Sequence, residues 1–235
     1  MKISLLCPTR LRPESMERVW KSAQETADDP SSIEIVFYMD NDDPLSISKF
    51  QELDTPESNN RVLGILGERI LLSSMWNECQ KVATGDIFML LGDDIVFRSP
   101  HWDTYVREHF NSIDDKISLL YGRDGNQDER LSTHPFVHKN WIQAVGYFVP
   151  DSYSCDMNDL NLFDIATMIN RKTYDPRIFT EHMHFGVGKS NLDSTYKDQR
   201  ERGMRDNVMA LYERLLPKRQ EDAQKLRDFI NNFNK

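Results

Sequence analysis

The chain has 235 residues, of which 39% are hydrophobic and 29% are charged, so it is long enough for one large α/β domain with a substantial core. Asp and Glu number 38 against 29 Lys and Arg, and the net charge of −9 argues against general binding to nucleic acids and other polyanions. No apolar stretch approaches the roughly 18 residues of a membrane span, and the apolar start is too short for a signal peptide. The three cysteines are far apart, which predicts free thiols and a cytoplasmic protein.

The first part of the chain alternates predicted strands with predicted helices. Runs rich in apolar and β-branched residues predict strands, and apolar residues at helical spacing predict helices. The strands are expected at 3–7, 33–39, 61–66 and 87–91, and the helices from 13 to 23, within 45–60 and at 72–82. Because the connections are short, this alternation indicates a parallel sheet built from right-handed crossovers.

After Pro100 the pattern changes. Helices are expected at 102–110 and 160–169, and strands at 117–121 and 144–149. The tail from residue 191 is highly charged and predicts two helices separated by Pro217, at 204–216 and 221–233. Together these elements predict an α/β fold with a mixed, mainly parallel sheet flanked by helices and followed by a helical tail.

Two adjacent carboxylates follow the strand expected at 87–91. Gly92 is followed by Asp93 and Asp94, and the next three residues are again apolar. Two acids at the end of a buried strand need compensation, and a divalent cation with oxygen ligands is the usual one. In open α/β sheets, ligands bind at the carboxyl ends of the strands. The sequence therefore predicts a metal site in a cleft, and the alternative is a solvated polar turn.

The order of these features resembles the GT-A glycosyltransferases, in particular the small family-2-like enzymes of bacteria and bacteriophages. Three groups of residues carry the resemblance, which spans roughly residues 1–200. They are the strand ends at Cys7-Pro8-Thr9-Arg10 and Asp40; the helix 74–79 followed by Ala83-Thr84-Gly85-Asp86 and by the strand end at Gly92-Asp93-Asp94; and the region 156–196 with Glu181-His182-Met183-His184, Gly186-x-Gly188-Lys189 and Asp193-x-Thr195-Tyr196. The chain departs from the family at Gly92, where the D-x-D motif has its first Asp.

The resemblance implies a GT-A (Rossmann-like) fold and a metal-dependent, inverting transfer of a hexose or pentose from a nucleotide-sugar donor to a hydroxyl acceptor. The implied cofactor is Mn²⁺ or Mg²⁺. The acceptor is a glycan or, in a phage-encoded enzyme, a hydroxymethylated DNA base. Residues 1–100 would then be the donor-binding half of a single domain, 101–190 the acceptor-binding half and 191–235 a C-terminal helical tail.

The resemblance also implies ligands for the cation. Asp94 is the expected carboxylate ligand, and Asp93 is expected to face the ribose or sugar. A histidine from the later region completes the metal site, with His184 preferred to His182. Residues two apart on a strand lie on one face, so both imidazoles are able to approach the ion. The alternative is that both are ordinary polar residues at a strand end.

Donor-binding residues are expected at the strand ends and in the loop after the histidines. They are Pro8, Thr9, Arg10, Arg12, Asp40, Asn77, Asp93 and Lys189. Arg10 is expected to contact phosphate or stack near the base, and Asp40 to accept from base or ribose; the alternative for Asp40 is a helix or turn cap. Asn77 is expected either to reach the donor or to be a buried amide whose hydrogen bonds are satisfied within the protein. Lys189, in a glycine-containing loop, is expected at the diphosphate, unless this loop is a plain turn.

The catalytic base should be a carboxylate that faces the acceptor hydroxyl. Asp159 is the first candidate and Asp156 the second, although Asp159 is also placed to cap the helix expected at 160–169. Three aromatic residues are candidate stacking surfaces for acceptor rings, with a place in the core as the alternative. They are Trp102, Trp141 and Tyr153.

Two other functions remain open on the sequence. A nucleotidyltransferase of related fold would normally have a glycine-rich loop after the first strand, which Cys7-Pro8-Thr9-Arg10 lacks. A non-catalytic nucleotide-sugar-binding protein is the other alternative, because Gly92 interrupts the metal motif. The sequence does not indicate the donor base, the sugar or the oligomeric state.

Overall fold

The computed structural model describes residues 1–58 and 61–233, and there an eight-stranded sheet lies between two layers of helices. The strands are β1 (Ile3–Thr9), β2 (Ile33–Asp40), β3 (Val62–Gly67), β4 (Ile87–Leu90), β5 (Ile95–Phe97), β6 (Leu119–Arg123), β7 (Phe136–His138) and β8 (Lys172–His182). The α-helices are α1 (Pro13–Glu25), α2 (Pro44–Leu53), α3 (Leu72–Val82), α4 (Trp102–Asn111), α5 (Lys139–Val145), α6 (Asn158–Met168), α7 (Ser194–Arg205), α8 (Val208–Arg214) and α9 (Leu216–Phe233).

The sheet has the order β3-β2-β1-β4-β7-β6-β8-β5. Strands β1 to β4 pair in parallel, whereas β7 runs antiparallel to both β4 and β6. Strand β8 is parallel to β6 and antiparallel to β5. The predicted α/β fold, with a mixed and mainly parallel sheet between helices and a helical tail, is confirmed.

Two apolar clusters hold the helices against the sheet. In β1, Leu5 and Cys7 belong to one cluster and Leu6 to the other, because successive strand side chains point to opposite faces. Helices α1 and α4 cover the first face, and α3, α5, α6 and α9 cover the second. Strands covered on both faces need apolar residues throughout, which explains the uninterrupted run in β4.

Both clusters combine residues from before and after position 100. The division of the domain into halves at 100 and 190 stays a prediction. Trp102, Trp141 and Tyr153 are fully buried, so they belong to the core and are not stacking surfaces for acceptor rings. Among the described residues, no helix is both long and apolar enough to cross a bilayer.

The strand expected at 144–149 is wrong, because this part of the chain ends a helix. In α5, His138 caps the N-terminus by accepting from the backbone N–H of Asn140, and Trp141 and Val145 face the core four residues apart. Gly146, at φ 103°, adopts the left-handed conformation that ends α5. The backbone N–H groups of Phe148 and Val149 then donate to the Asn77 side chain instead of to a neighbouring strand.

The tail also differs from the expectation of two helices around Pro217. Three helices form, and the first break falls at Asn207, whose φ of 46° is left-handed. Pro217 is the second residue of α9, where a missing backbone N–H leaves no helical hydrogen bond unmade. Helix α7 begins before the predicted tail helices, at Ser194, and its N-cap is Asp193, whose carboxylate accepts from the backbone N–H of Tyr196 at 2.9 Å.

Candidate functional site

The carboxyl ends of β1, β2 and β4 open into one pocket, as expected for an open α/β sheet. The cavity measures about 250 Å³, and its wall also includes α3, the loop before β7, the start of α6, the end of β8 and the tail helix α7. Eleven of the thirteen residues expected at the site line it. These are Pro8, Thr9, Arg10, Arg12, Asp40, Asp93, Asp94, Asp156, Asp159, His182 and His184.

Asp93 is buried and held by two groups from the end of β1. Thr9 Oγ1 donates to its Oδ2 at 2.9 Å, and Arg12 Nη1 donates to its Oδ1 at 2.8 Å. Burial raises the pKa of Asp93 above its ordinary value and the Asp94 charge adds to this, although Arg12 opposes the shift. Arg12 also donates twice to Asp193, and its guanidinium lies 3.9 Å from the centre of the Tyr196 ring. The first strand and the tail thus meet at Asp93.

Asp94 is held by two groups from the later part of the chain. Its Oδ2 accepts from the Tyr196 hydroxyl at 2.6 Å and lies 3.1 Å from His182 Nε2. Burial alone would raise the pKa of Asp94, but hydrogen bonding and charge from His182, together with the Tyr196 bond, hold it well below its usual range. The pocket is therefore lined by a carboxylate that stays ionised at pH 7.

His134 joins Asp94 and His182 in a cluster, and sequence reasoning missed it. One ligand atom from each residue can be chosen so that all three lie within 4.8 Å of one another. Burial and the His182 charge lower the pKa of His134 to about 3, so its imidazole is neutral at pH 7 and has a free lone pair.

This cluster fits a divalent cation. A carboxylate oxygen and two imidazole nitrogens form a common ligand set for first-row transition ions. The buried Nδ1 atoms of His134 and His182 find no hydrogen-bond partner within the described chain. His182 Nδ1 lies 4.0 Å from Asp124 Oδ2, in the manner of the outer carboxylates that orient metal-binding histidines.

His184 lies in the pocket but outside this cluster. Strand β8 ends at His182, so the argument that residues two apart share a strand face does not apply to His184. Its Nδ1 instead accepts from the backbone N–H of Gly186 at 3.1 Å and caps a short 3-10 turn. The preference for His184 over His182 as a metal ligand stays a prediction, and the geometry favours the reverse order.

At the end of β2, Asp40 faces the pocket with one oxygen paired. Arg10 Nη1 donates to Asp40 Oδ2 at 2.7 Å and also bonds to Asp42. Asp40 Oδ1 is buried and accepts no hydrogen bond from the described residues. Burial raises the pKa of Asp40, against the effect of Arg10. The helix cap at this place is Asp43, which accepts from the backbone N–H of Ser46, so Asp40 is not the cap.

Asp159 and Asp156 differ in environment. Asp159 is the second residue of α6, and the N-cap position belongs to Met157, so Asp159 is not the cap. Burial raises the pKa of Asp159 to about 6, with a contribution from the Asp156 charge and against the hydrogen bond from the Leu160 backbone. Asp156 is exposed and accepts from Gln199 Nε2 at 2.7 Å. A carboxylate that titrates near neutrality suits a general base.

Two residues expected at the donor lie outside the pocket. Asn77 Nδ2 donates to the Val149 carbonyl at 2.8 Å, and its Oδ1 accepts from the backbone N–H groups of Phe148 and Val149. These are the contacts of a satisfied structural amide, the alternative stated above. Lys189 Nζ lies 2.9 Å from Glu181 Oε1. Donor contacts by Asn77 and Lys189 stay predictions without support from the geometry.

The tail contributes more to the site than its composition indicates. Besides Tyr196, the residues Thr195, Gln199 and Arg202 line the pocket, as does Arg69 from the loop before α3. Thr195 Oγ1 donates to the Arg10 carbonyl at 2.9 Å, which fixes α7 to the end of β1. The D-x-T-Y pattern of the tail was the one sequence signal for this contact.

No family model matches the chain, and no curated protein matches it. Its structure is similar to that of the mannosyltransferase PcManGT from Pyrobaculum calidifontis in complex with GDP-Man and Mn²⁺, with a TM-score of 0.63 and 14% identity over 77% of this chain and 56% of that chain. S. aureus TarS gives a TM-score of 0.60 and 12% identity over 77% of this chain and 37% of that chain. TarS 1-349 in complex with UDP gives 0.58 and 13% over 76% of this chain and 60% of that chain. The chain therefore spans 37% to 60% of the length of these proteins and has a GT-A-like glycosyltransferase fold.

Proposed function

We propose that the protein is a metal-dependent glycosyltransferase that moves a sugar from a nucleotide-sugar donor to a hydroxyl acceptor. The observation that carries this proposal is one pocket that is lined both by the cluster of Asp94, His134 and His182 and by a further carboxylate, Asp159. The fold supports it, because similar structures were solved with GDP-Man and Mn²⁺ and with UDP.

The residues at the strand ends would hold the donor. The free Oδ1 of Asp40 is placed to accept an N–H of the base or a ribose hydroxyl, beside the guanidinium of Arg10. Asp94 and His182 would hold Mn²⁺ or Mg²⁺, which when bound supplies positive charge to stabilise the diphosphate leaving group. Thr9 and Arg12 fix Asp93 next to this position.

Asp159 would act as the base in a single displacement. Its carboxylate takes the proton of the acceptor hydroxyl as that oxygen bonds to the anomeric carbon, and the bond from this carbon to the diphosphate breaks. One displacement inverts the configuration of the sugar. The net charge of −9 favours a glycan acceptor over a hydroxymethylated DNA base.

A screen of UDP-, GDP-, CDP- and dTDP-sugars with and without Mn²⁺ tests this proposal. At about 100 times its dissociation constant a donor stabilises the fold by roughly 2.7 kcal/mol, which for this size raises Tm by about 5–10 °C. We expect one donor class to give this shift only with the cation, together with slow hydrolysis of the donor. Stabilisation without hydrolysis or transfer would favour the non-catalytic alternative, and no shift with any donor would overturn the proposal.

A further inference from the structure

Gly92 departs from the family motif, and its surroundings explain why. A Cβ at Gly92 would lie 2.7 Å from Asp94 Oδ1 and 3.7 Å from His134 Nε2. Its φ is not positive, so the backbone conformation does not demand glycine. The missing side chain therefore leaves room for the Asp94 carboxylate and opens the space between Gly92 and His134.

His134 faces this space with a buried imidazole. Its ring lies edge-on to that of His182, with ring centres 4.9 Å apart. Its Nδ1 has no hydrogen-bond partner among the described residues. Burying a nitrogen without a partner costs about 1–3 kcal/mol, which a structural histidine would avoid. A ligand bound at Nδ1 would remove this cost.

Asp124 contacts the chain at His182 and next to His134. The backbone N–H of His182 donates to the Asp124 carbonyl at 2.9 Å, and Asp124 Oδ2 lies 4.0 Å from the His182 ring. Thr133, the residue before His134, donates its hydroxyl to Asp124 Oδ2 at 3.0 Å. The end of β8 and the loop before β7 are thus held in a fixed relation.

We propose that His134 is a third protein ligand of the cation, admitted by Gly92 in place of the missing carboxylate of the motif. This inference rests on the proposed function for the existence of the cation. A site with two imidazoles and one carboxylate prefers first-row transition ions such as Mn²⁺, whereas Mg²⁺ demands oxygen ligands. The exchange of one carboxylate for an imidazole makes the site selective for Mn²⁺ over Mg²⁺.

Titration of the full chain with Mn²⁺ alone or Mg²⁺ alone, without nucleotide, tests this inference. Bound Mn²⁺ is measured from the loss of the free-ion electron paramagnetic resonance signal, and Mg²⁺ by calorimetry. We expect wild type to prefer Mn²⁺ at least tenfold. His134→Ala should weaken Mn²⁺ binding at least tenfold and remove most of this preference.

Two further variants make the result specific. His138→Ala is the matched control, because His138 is equally buried on the neighbouring strand β7 but caps α5 and does not line the pocket; its Mn²⁺ affinity should equal that of wild type. Gly92→Ala leaves His134 in place and should also weaken Mn²⁺ binding, because its Cβ displaces the Asp94 carboxylate. His134→Gln keeps a polar side chain at this place and should also weaken Mn²⁺ binding, which keeps the test decisive if His134→Ala does not fold.

The outcomes separate this inference from the proposed function. Wild-type Mn²⁺ affinity in His134→Ala, with loss of binding in Asp94→Ala, would overturn the role of His134 and leave the cation site of the proposed function intact. Wild-type affinity in both variants would overturn both. Equal affinity of the wild-type chain for Mn²⁺ and Mg²⁺ would overturn the selectivity.

Discussion

The strands before residue 100 and the elements after it contribute different chemistry to the same pocket. The parallel strands β1, β2 and β4 supply carboxylates and arginines at their carboxyl ends, and most of these groups are already paired. The later elements supply three histidines, a tyrosine and the carboxylate of Asp159. The first set is placed by sheet topology alone, since parallel strands end at one edge. The second set is placed by a chain that reverses direction through β7, β6 and β8.

The contacts in the site are therefore of two kinds, those made within the parallel sheet and those that need elements from later in the chain. Thr9 is the last residue of β1 and Asp93 follows β4, and these two strands pair directly with each other. The contacts of Asp94 with His182 and Tyr196 instead depend on β8 and on the tail helix α7. Variants on each side of this boundary should therefore lose different functions, and the following experiments test that expectation.

The largest effect on donor binding is expected from a change at the carboxyl end of β4. Asp94→Ala should abolish the Mn²⁺-dependent rise in Tm with donor, about 5–10 °C in wild type, because it removes the ionised ligand. Thermal unfolding with donor and Mn²⁺ measures this. Asp86→Ala is the control, since Asp86 precedes the same strand at its other end and pairs with Lys139. An undiminished donor shift in Asp94→Ala would remove Asp94 from the metal site.

The second largest effect, on the transfer rate, is expected from a change in the elements after residue 100. Asp159→Asn should keep donor affinity and lose about 10²–10⁴-fold in transfer rate, the usual contribution of a general base. Steady-state kinetics with a donor found in the screen measure the rate, and calorimetry measures the affinity.

The pH dependence adds a second measurement on Asp159. Its pKa of about 6 means that the carboxylate is ionised and able to accept a proton above pH 6, and protonated below it. The rate of wild type should therefore rise with pH through about 6, and Asp159→Asn should lack this rise. If Asp156→Asn loses transfer instead, the base is Asp156.

A smaller effect is expected where the tail joins the site. Tyr196→Phe keeps the ring beside Arg12 but removes the hydroxyl that donates to Asp94. A hydrogen bond to a charged group contributes about 1.5–3 kcal/mol, so hydrogen-exchange protection of the α7 amides should fall roughly 10–100-fold.

A second tyrosine in the tail provides the control for Tyr196→Phe. The Tyr212 hydroxyl donates to Asp164 on α6, so Tyr212→Phe removes a similar bond outside the pocket. Protection of α7 should be unchanged in this variant. Equal loss of protection in both variants would mean that α7 is not held through Asp94.

The smallest effect on function is expected at Asn77. Asn77→Ala leaves the backbone groups of Phe148 and Val149 without their partner and should lower the free energy of unfolding by about 1–3 kcal/mol. Donor affinity of the folded protein should not change, because Asn77 does not line the pocket. Denaturant unfolding and donor titration measure the two quantities. A selective loss of donor affinity would restore the contact expected from the sequence.

The parallel strands and their acidic ends were predictable from sequence because their signals are local. A buried strand needs a short apolar run, and Asp93 and Asp94 stand directly after one. Helix α3 was predicted with its observed bounds, Leu72–Val82, from apolar residues at helical spacing. In each case the neighbouring residues in the sequence are enough to predict the element.

The later elements were harder to predict because their signals are tertiary. Strand β8 is mostly polar, contains Pro176 and is formed through pairing with β6 and β5. Nothing near His134 in sequence marks it as a ligand, since its partners lie 40 or more positions away along the chain. The argument that His182 and His184 share one strand face assumed a strand that in fact ends at His182.

The ion pair between Arg12 and Asp193 has a consequence for biosynthesis. The two residues are 181 positions apart, and Thr195 and Arg10 are 185 apart. At about 5–20 residues per second, roughly 10–40 s pass on the ribosome between synthesis of the first and second partner. From the synthesis of Asp94 onward the nascent chain carries both acids without the tail residues that contact this site, so the pocket is complete only after α7 has been made.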